Sequence, residues 1–106
     1  MIIEIRLEHE DLAKDLYDSA STIGLEAKVT REICLSVGSS EIVILLLTIP
    51  VGVSIAVISK WINDKIAKHK PDKITINKHT LEISARDITV KQIEETINYP
   101  YEADGE

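Results

Sequence analysis

Between Glu41 and Lys60 the chain carries no charged side chain, and the stretch from Ser39 to Lys70 (SSEIVILLLTIPVGVSIAVISKWINDKIAKHK) holds its one long apolar run and its one Trp. A run this apolar has to be covered on nearly every side, by the rest of the protein or by lipid. From Ile42 to Ile58 almost every position is apolar, so a helix there is greasy all round. From Ile55 onward a face emerges: Ile55, Ile58, Ile62 and Ile66 recur at helical spacing, opposite Ser59, Lys60, Asn63, Asp64 and Lys68. These features predict a long apolar central helix with Ser39 or Ser40 as its N-cap. A break or kink is expected near Pro50, where proline removes a donor and Gly52 adds freedom. Lys65, Lys68 and Lys70 complement the helix dipole before Pro71 ends the segment.

Two environments suit such a helix. A bilayer span needs ~17 to 25 apolar residues, and at 1.5 Å per residue this run reaches roughly 25 Å against a hydrocarbon core of ~30 Å. Trp61 among lysines also resembles an interfacial anchor, with the Lys-rich flank on the cytoplasmic side, which makes a single-span or membrane-inserting protein acting through residues 42–62 the alternative. A span would, however, leave Met1–Gly38 and Pro71–Glu106 on opposite sides, and pieces below about 40 residues seldom hold a core alone. Both pieces read as strands with one apolar face, so a shared helical cover is the favoured arrangement.

The flanking segments have clear periods. Ile3, Ile5 and Leu7 alternate with Glu4, Arg6 and Glu8 as in a strand with one wet face. Asp11 can cap a helix with a Leu12, Leu16, Ala20 and Ile23 stripe, closed by Gly24 and Leu25 in a Schellman-type ending. A second strand follows, with Ala27, Val29, Ile33, Leu35 and Val37 on one side, a row that Arg31 interrupts. The long crossover predicts that the two strands pair in parallel. Ile74 then faces Ile83, and Ile76 faces Leu81, in a hairpin turning at Lys78 and His79, with Asn77 able to take the left-handed conformation if the loop is longer. Thr89 and Gln92 form a capping box for a last helix with a Val90, Ile93 and Ile97 stripe, and Pro100 ends it. The expected fold is α+β: a small mixed four-stranded sheet in β-α-β-α-β-β-α order covered by helices, one domain over residues 1–99, with residues 100–106 a disordered acidic tail.

Composition narrows function more than it names it. The formal charge of −6 argues against non-specific nucleic-acid binding, and the absence of Phe makes the core aliphatic. A single Cys and an N-terminus with early acidic residues predict a cytoplasmic protein without a signal peptide. No catalytic, cofactor or metal constellation can be read: His9, His69 and His79 are far apart and none lies near Cys34, which falls on the wet side of its strand. Glu94 and Glu95, adjacent on a helix, do not converge on a substrate, and Gly38 with Ser39 and Ser40 lacks the lysine of a phosphate loop. The expectation is a non-enzyme.

Charge placement is the surface feature with functional content. Lys60, Lys65, Lys68, Lys70, Lys73 and Lys78 are six of the twelve basic residues, opposed within that span by Asp64 and Asp72 alone. With Trp61 they form the candidate partner-docking set, suited to an acidic protein face or an anionic headgroup. The alternative is that these lysines cap a helix and solubilise an apolar chain.

The run LLLTIPVGVSIAVISKWI, the hairpin KITINKHTLEI and the following ARDITVKQIEETI, together spanning Leu45–Ile97, resemble the effector-associated constant component family of bacterial conflict systems. The chain departs from that pattern at Pro50 and at Lys78-His79. The resemblance implies a non-enzymatic adaptor, made beside effectors such as peptidases, that links sensing to effector activation through protein partners.

Overall fold

The computed structural model describes residues 1–34, 40–84 and 88–98. Its elements are β1 (Ile2–Leu7), α1 (Glu10–Ser19) with a 3-10 turn at Ala20–Ile23, β2 (Glu26–Cys34), β3 (Ser40–Thr48), α2 (Ile55–His69), β4 (Lys73–Ile76), β5 (His79–Glu82) and α3 (Val90–Asn98). The α+β class stands, but the sheet among the described residues has five strands, in the order β2-β3-β1-β4-β5, and every pair is antiparallel.

The fifth strand comes from the apolar run. Ser40–Thr48 is a strand, not the first half of a central helix, and the described residues hold no long apolar central helix. It sits between β1 and β2, paired with both. A strand with neighbours on each side and apolar residues on both faces lacks the alternation that marks a half-wet strand, and its β-branched Ile42, Val43 and Ile44 suit the pleat. Pro50 accordingly ends an element instead of kinking one. Pro50–Val53 is a tight turn in which the Val53 amide donates to the Pro50 carbonyl (3.3 Å) and Gly52 takes φ 105°, as the third position of a type II turn requires. Ser54, not Ser39 or Ser40, caps the helix that follows, its Oγ accepting from the Val57 amide at 3.2 Å.

The insertion of β3 also overturns the adjacent parallel pair. β1 and β2 run in the same direction, each antiparallel to β3, so the crossover through α1 is a split βαβ unit. Two local signals elsewhere match the reading, the end of the 3-10 turn and the cap of α3. Gly24 is left-handed (φ 86°), and Leu25 N–H bonds the Ala20 carbonyl across the end of the 3-10 turn. Thr89 and Gln92 make the reciprocal capping box, with contacts of 2.9 and 3.2 Å. The N-cap of α1 is His9, whose Nδ1 accepts from Leu12 N–H at 3.1 Å, two residues earlier than the expected Asp11. The hairpin turns at Asn77 and Lys78, not Lys78 and His79; both have positive φ (49° and 72°), the signature of a type I′ turn, and the register moves with it, so that Ile74 faces Leu81 instead of Ile83 and Ile76 faces His79 instead of Leu81. Asn77 also clamps β1: its Oδ1 accepts from Glu4 N–H (2.9 Å) and its N–H donates to Glu4 O (2.8 Å).

One layer of helices covers one face of the sheet. Ile3, Ile5 and Leu7 of β1 lie beside Leu47, Leu45 and Val43 of β3 and pack with Leu12 and Leu16 of α1, Ile58, Ile62 and Ile66 of α2, and Ile93 and Ile97 of α3. Fully burying each such aliphatic chain stabilises by ~1.5–3 kcal/mol, which is how a core without Phe holds. The opposite face carries Ile2, Glu4 and Arg6 of β1 beside Thr48, Leu46 and Ile44 of β3. Among the described residues no helix is long and apolar enough to cross a membrane, so a helical span through residues 42–62 is not what this chain forms. Leu35, Val37, Gly38, Ser39 and the acidic tail from Pro100 lie outside the described residues.

Candidate functional site

The C-terminal half of α2 is where the lysines gather. Its apolar stripe, Ile58, Ile62 and Ile66, is pinned to the core, which turns Lys60, Asp64 and Lys68 outward. Lys70 closes the helix in a left-handed C-cap (φ 50°), its N–H bonding the Ile66 carbonyl at 2.7 Å, and buried Pro71 follows.

Three of the basic groups converge on one carboxylate. Asp15, on α1, meets His69 Nε2 at 2.8 Å, Lys65 Nζ at 2.9 Å and Lys68 Nζ at 3.4 Å. The Asp15, His69 and Lys65 side chains are only 15–22% exposed, so water screens this cluster weakly. The His69 hydrogen bond, then those from Lys65 and Lys68, hold the Asp15 carboxyl well below the usual carboxylate range, against the opposing effect of burial. His9 lies edge-on to the His69 ring, 5.6 Å between centroids. Ser19 Oγ donates to the Asp15 carbonyl (2.6 Å) and accepts from Trp61 Nε1 (3.1 Å), extending the clasp along the α1–α2 seam.

The docking set is therefore not one patch. Trp61, 8% exposed and hydrogen-bonded, packs inside the fold and offers no face to a partner. Lys65 and Lys68 hold Asp15, and Lys60 pairs with Asp64 on the next turn at 3.3 Å. Lys73 begins β4 and Lys78 lies in the turn after it, at opposite ends of a short strand. Along α2 and just after it, Lys60, Lys65, Lys68 and Lys70 lie among three carboxylates, Asp15, Asp64 and Asp72, an excess of one positive charge. Beside Lys70 an open groove of about 440 Å³ runs between the end of α2 and the far end of the hairpin, with Ile66, Ile83 and Ile88 in its walls.

Sequence reasoning missed Asp15 and the pairing of His9 with His69. Asp15 and His69 are 54 positions apart, so no spacing rule could join them. The signal that was present is the neighbouring stripe: Leu12 and Leu16 place Asp15 at the margin of the buried face of α1. Arg31, which breaks the apolar row of β2, reaches past the sheet to Glu10 at the start of α1 and to Glu41 (3.2 Å), and these carboxylates, Glu10 foremost, hold it still more firmly protonated. Cys34 pairs with Ser40 along the backbone. No group of His, Cys, Asp or Glu that could hold a metal ion occurs among the described residues. Comparison of the chain with protein-family models, with curated proteins and with solved structures found no match in any of the three.

Proposed function

We propose that this chain is a non-enzymatic interaction component of a bacterial conflict system, coupling sensing to an effector, of which a peptidase is the expected kind, through protein contacts. The observation that carries this reading is the basic face of α2 set beside an apolar groove: Lys70 lines the groove with Ile66, Ile83, Ile88 and Asp72, and exposed Lys60 and Lys68 lie on the same helix outside it. Such a surface suits a partner segment that presents an apolar anchor flanked by carboxylates. The resemblance over Leu45–Ile97 supports it through the hairpin and the capped last helix, while the run it begins with is divided here between β3 and α2.

The test is co-expression with the effectors encoded beside it, followed by size-exclusion chromatography without detergent. A stable complex with one such effector, lost in Lys60→Glu/Lys70→Glu, is expected; neither residue holds Asp15, so the fold should survive. No complex with any of these effectors, or a complex indifferent to both reversals, would sink the reading. Recovery of the native chain solely in a membrane pellet that high salt does not release would point to lipid instead.

A further inference from the structure

Two imidazoles meet where the start of α1 abuts the end of α2, and the hydrogen bonds around them fix which nitrogen of each ring carries a proton. His9 Nδ1 accepts from the Leu12 amide at 3.1 Å, so that nitrogen is bare and the capping ring is neutral. His69 Nε2 lies 2.8 Å from Asp15 Oδ2, and the ionised carboxylate only accepts, so Nε2 is the nitrogen of His69 that carries hydrogen. Both rings therefore take up a further proton at Nδ1. The same event has opposite consequences in the two. A proton on His9 Nδ1 removes the acceptor that caps α1 and sets a cation at the positive end of a helix dipole. A proton on His69 Nδ1 leaves the Asp15 contact in place, makes it a charged pair and sits at the negative end of α2. We propose that the His9–His69 contact is an acid-operated joint, which releases the first turn of α1 as His9 is protonated and tightens α2 on Asp15 as His69 is.

The charged groups packed around the pair decide where a released His9 ring goes. Glu8 precedes it, and Asp72 and Lys73, at the entry to β4, share with it a cavity of about 210 Å³ that Pro71 helps to wall. Glu10 and Asp11 follow in the first turn of α1, and Glu10 is already held by Arg31. Behind His69 stand Asp15, Lys65 and Lys68. With ring centroids 5.6 Å apart, a charged His69 repels a charged His9, and Lys65 and Lys68 add to that push. Glu8 and Asp72, in the cavity on the other side, attract it. Asp72 also lines the groove beside Lys70, and its carbonyl accepts from the Ile83 and Ser84 amides at 2.8 and 3.1 Å. The joint thus borders the surface assigned above to a partner, but it does not rest on that assignment.

The sign for stability follows from the two tautomers. The α1 cap contributes while His9 Nδ1 is bare and is lost as the pH falls; the charge on His69 contributes in acid and is lost as the pH rises. Imidazole is the side chain that changes charge between about pH 5 and 8, which sets the window of the test.

NMR of the ¹⁵N-labelled full chain across that window, with urea unfolding at each end, tests this. The Leu12 amide resonance is expected to shift in step with the His9 ring and to lose protection from hydrogen exchange in acid. His9→Asn, a cap that does not titrate, should keep Leu12 protected at both ends. Its folding constant relative to wild type should be about fivefold higher at the acid end than at the alkaline end, the size of one lost cap. His69→Gln, which keeps a donor for Asp15 without the charge, should lose stability relative to wild type over the same acidification. A Leu12 amide indifferent to the His9 titration, or a pH dependence that His9→Asn leaves unchanged, overturns the joint. So does a His69→Gln protein whose difference from wild type is the same at both ends.

Discussion

Replacing Asp15 by asparagine removes the charge on which His69, Lys65 and Lys68 converge and keeps the side chain's shape. Hydrogen bonds to charged groups contribute ~1.5–3 kcal/mol each when buried, whereas exposed ion pairs contribute ~0–1 kcal/mol. Lys68 is 66% exposed and adds little; the His69 and Lys65 contacts, at 15–22% exposure, carry the effect. Asparagine retains one acceptor, so its loss should be about 1–2 kcal/mol, and alanine's about 2–3 kcal/mol. In a domain of this size each kcal/mol lowers Tm by about 4–8 °C. The pH dependence is the sharper readout. Because folding lowers the Asp15 pKa, the stabilisation is fully present above the ordinary carboxyl range near ~3.9 and is lost as pH falls through that range toward the folded value. Urea unfolding at pH 7, 5 and 3, followed by circular dichroism, should therefore show wild type and Asp15→Asn converging in acid. If the gap is negligible at pH 7, or stays constant down to pH 3, the clasp contributes nothing and the reasoning fails.

Three further outcomes are open to the same assay. Ser59 is fully buried in α2 and its Oγ has no hydrogen-bond partner among the described residues, so Ser59→Ala should raise stability by up to about 1 kcal/mol, and a loss would reveal an interaction the packing does not show. Lys78 holds φ 72° in the hairpin turn, and Lys78→Gly should stabilise by about 1 kcal/mol; destabilisation would mean that the turn differs from type I′. Trp61→Ala should cost about 3–5 kcal/mol as a core truncation, and Trp61→Phe much less, the difference including the bond to Ser19; near-equal wild-type stability in both would place Trp61 on the surface.

The helices were legible because each has a period that survives without its neighbours. Ile58, Ile62 and Ile66 mark α2, Ile93 and Ile97 mark α3, and the Thr89–Gln92 box marks where α3 begins. The strands β1, β2 and the β4–β5 hairpin were legible by alternation, with the turn displaced by one residue because a Lys at positive φ has no composition signal. In the candidate site the lysines were visible in the sequence but their use was not: Lys65 and Lys68 close on a carboxylate from another helix.

Sequence alone determined the α+β class, the aliphatic core, the Thr89–Gln92 cap of α3 and the inward stripes, because these depend on composition and on residues a few positions apart. Only the tertiary structure decided that Ser40–Thr48 is a strand and that Asp15, His69 and Lys65 meet. A segment apolar on both faces carries no period to distinguish strand from helix, and the β1 and β2 edges on either side of it make the choice. The clasp joins residues that become neighbours only when α2 packs against α1, so nothing local could announce it.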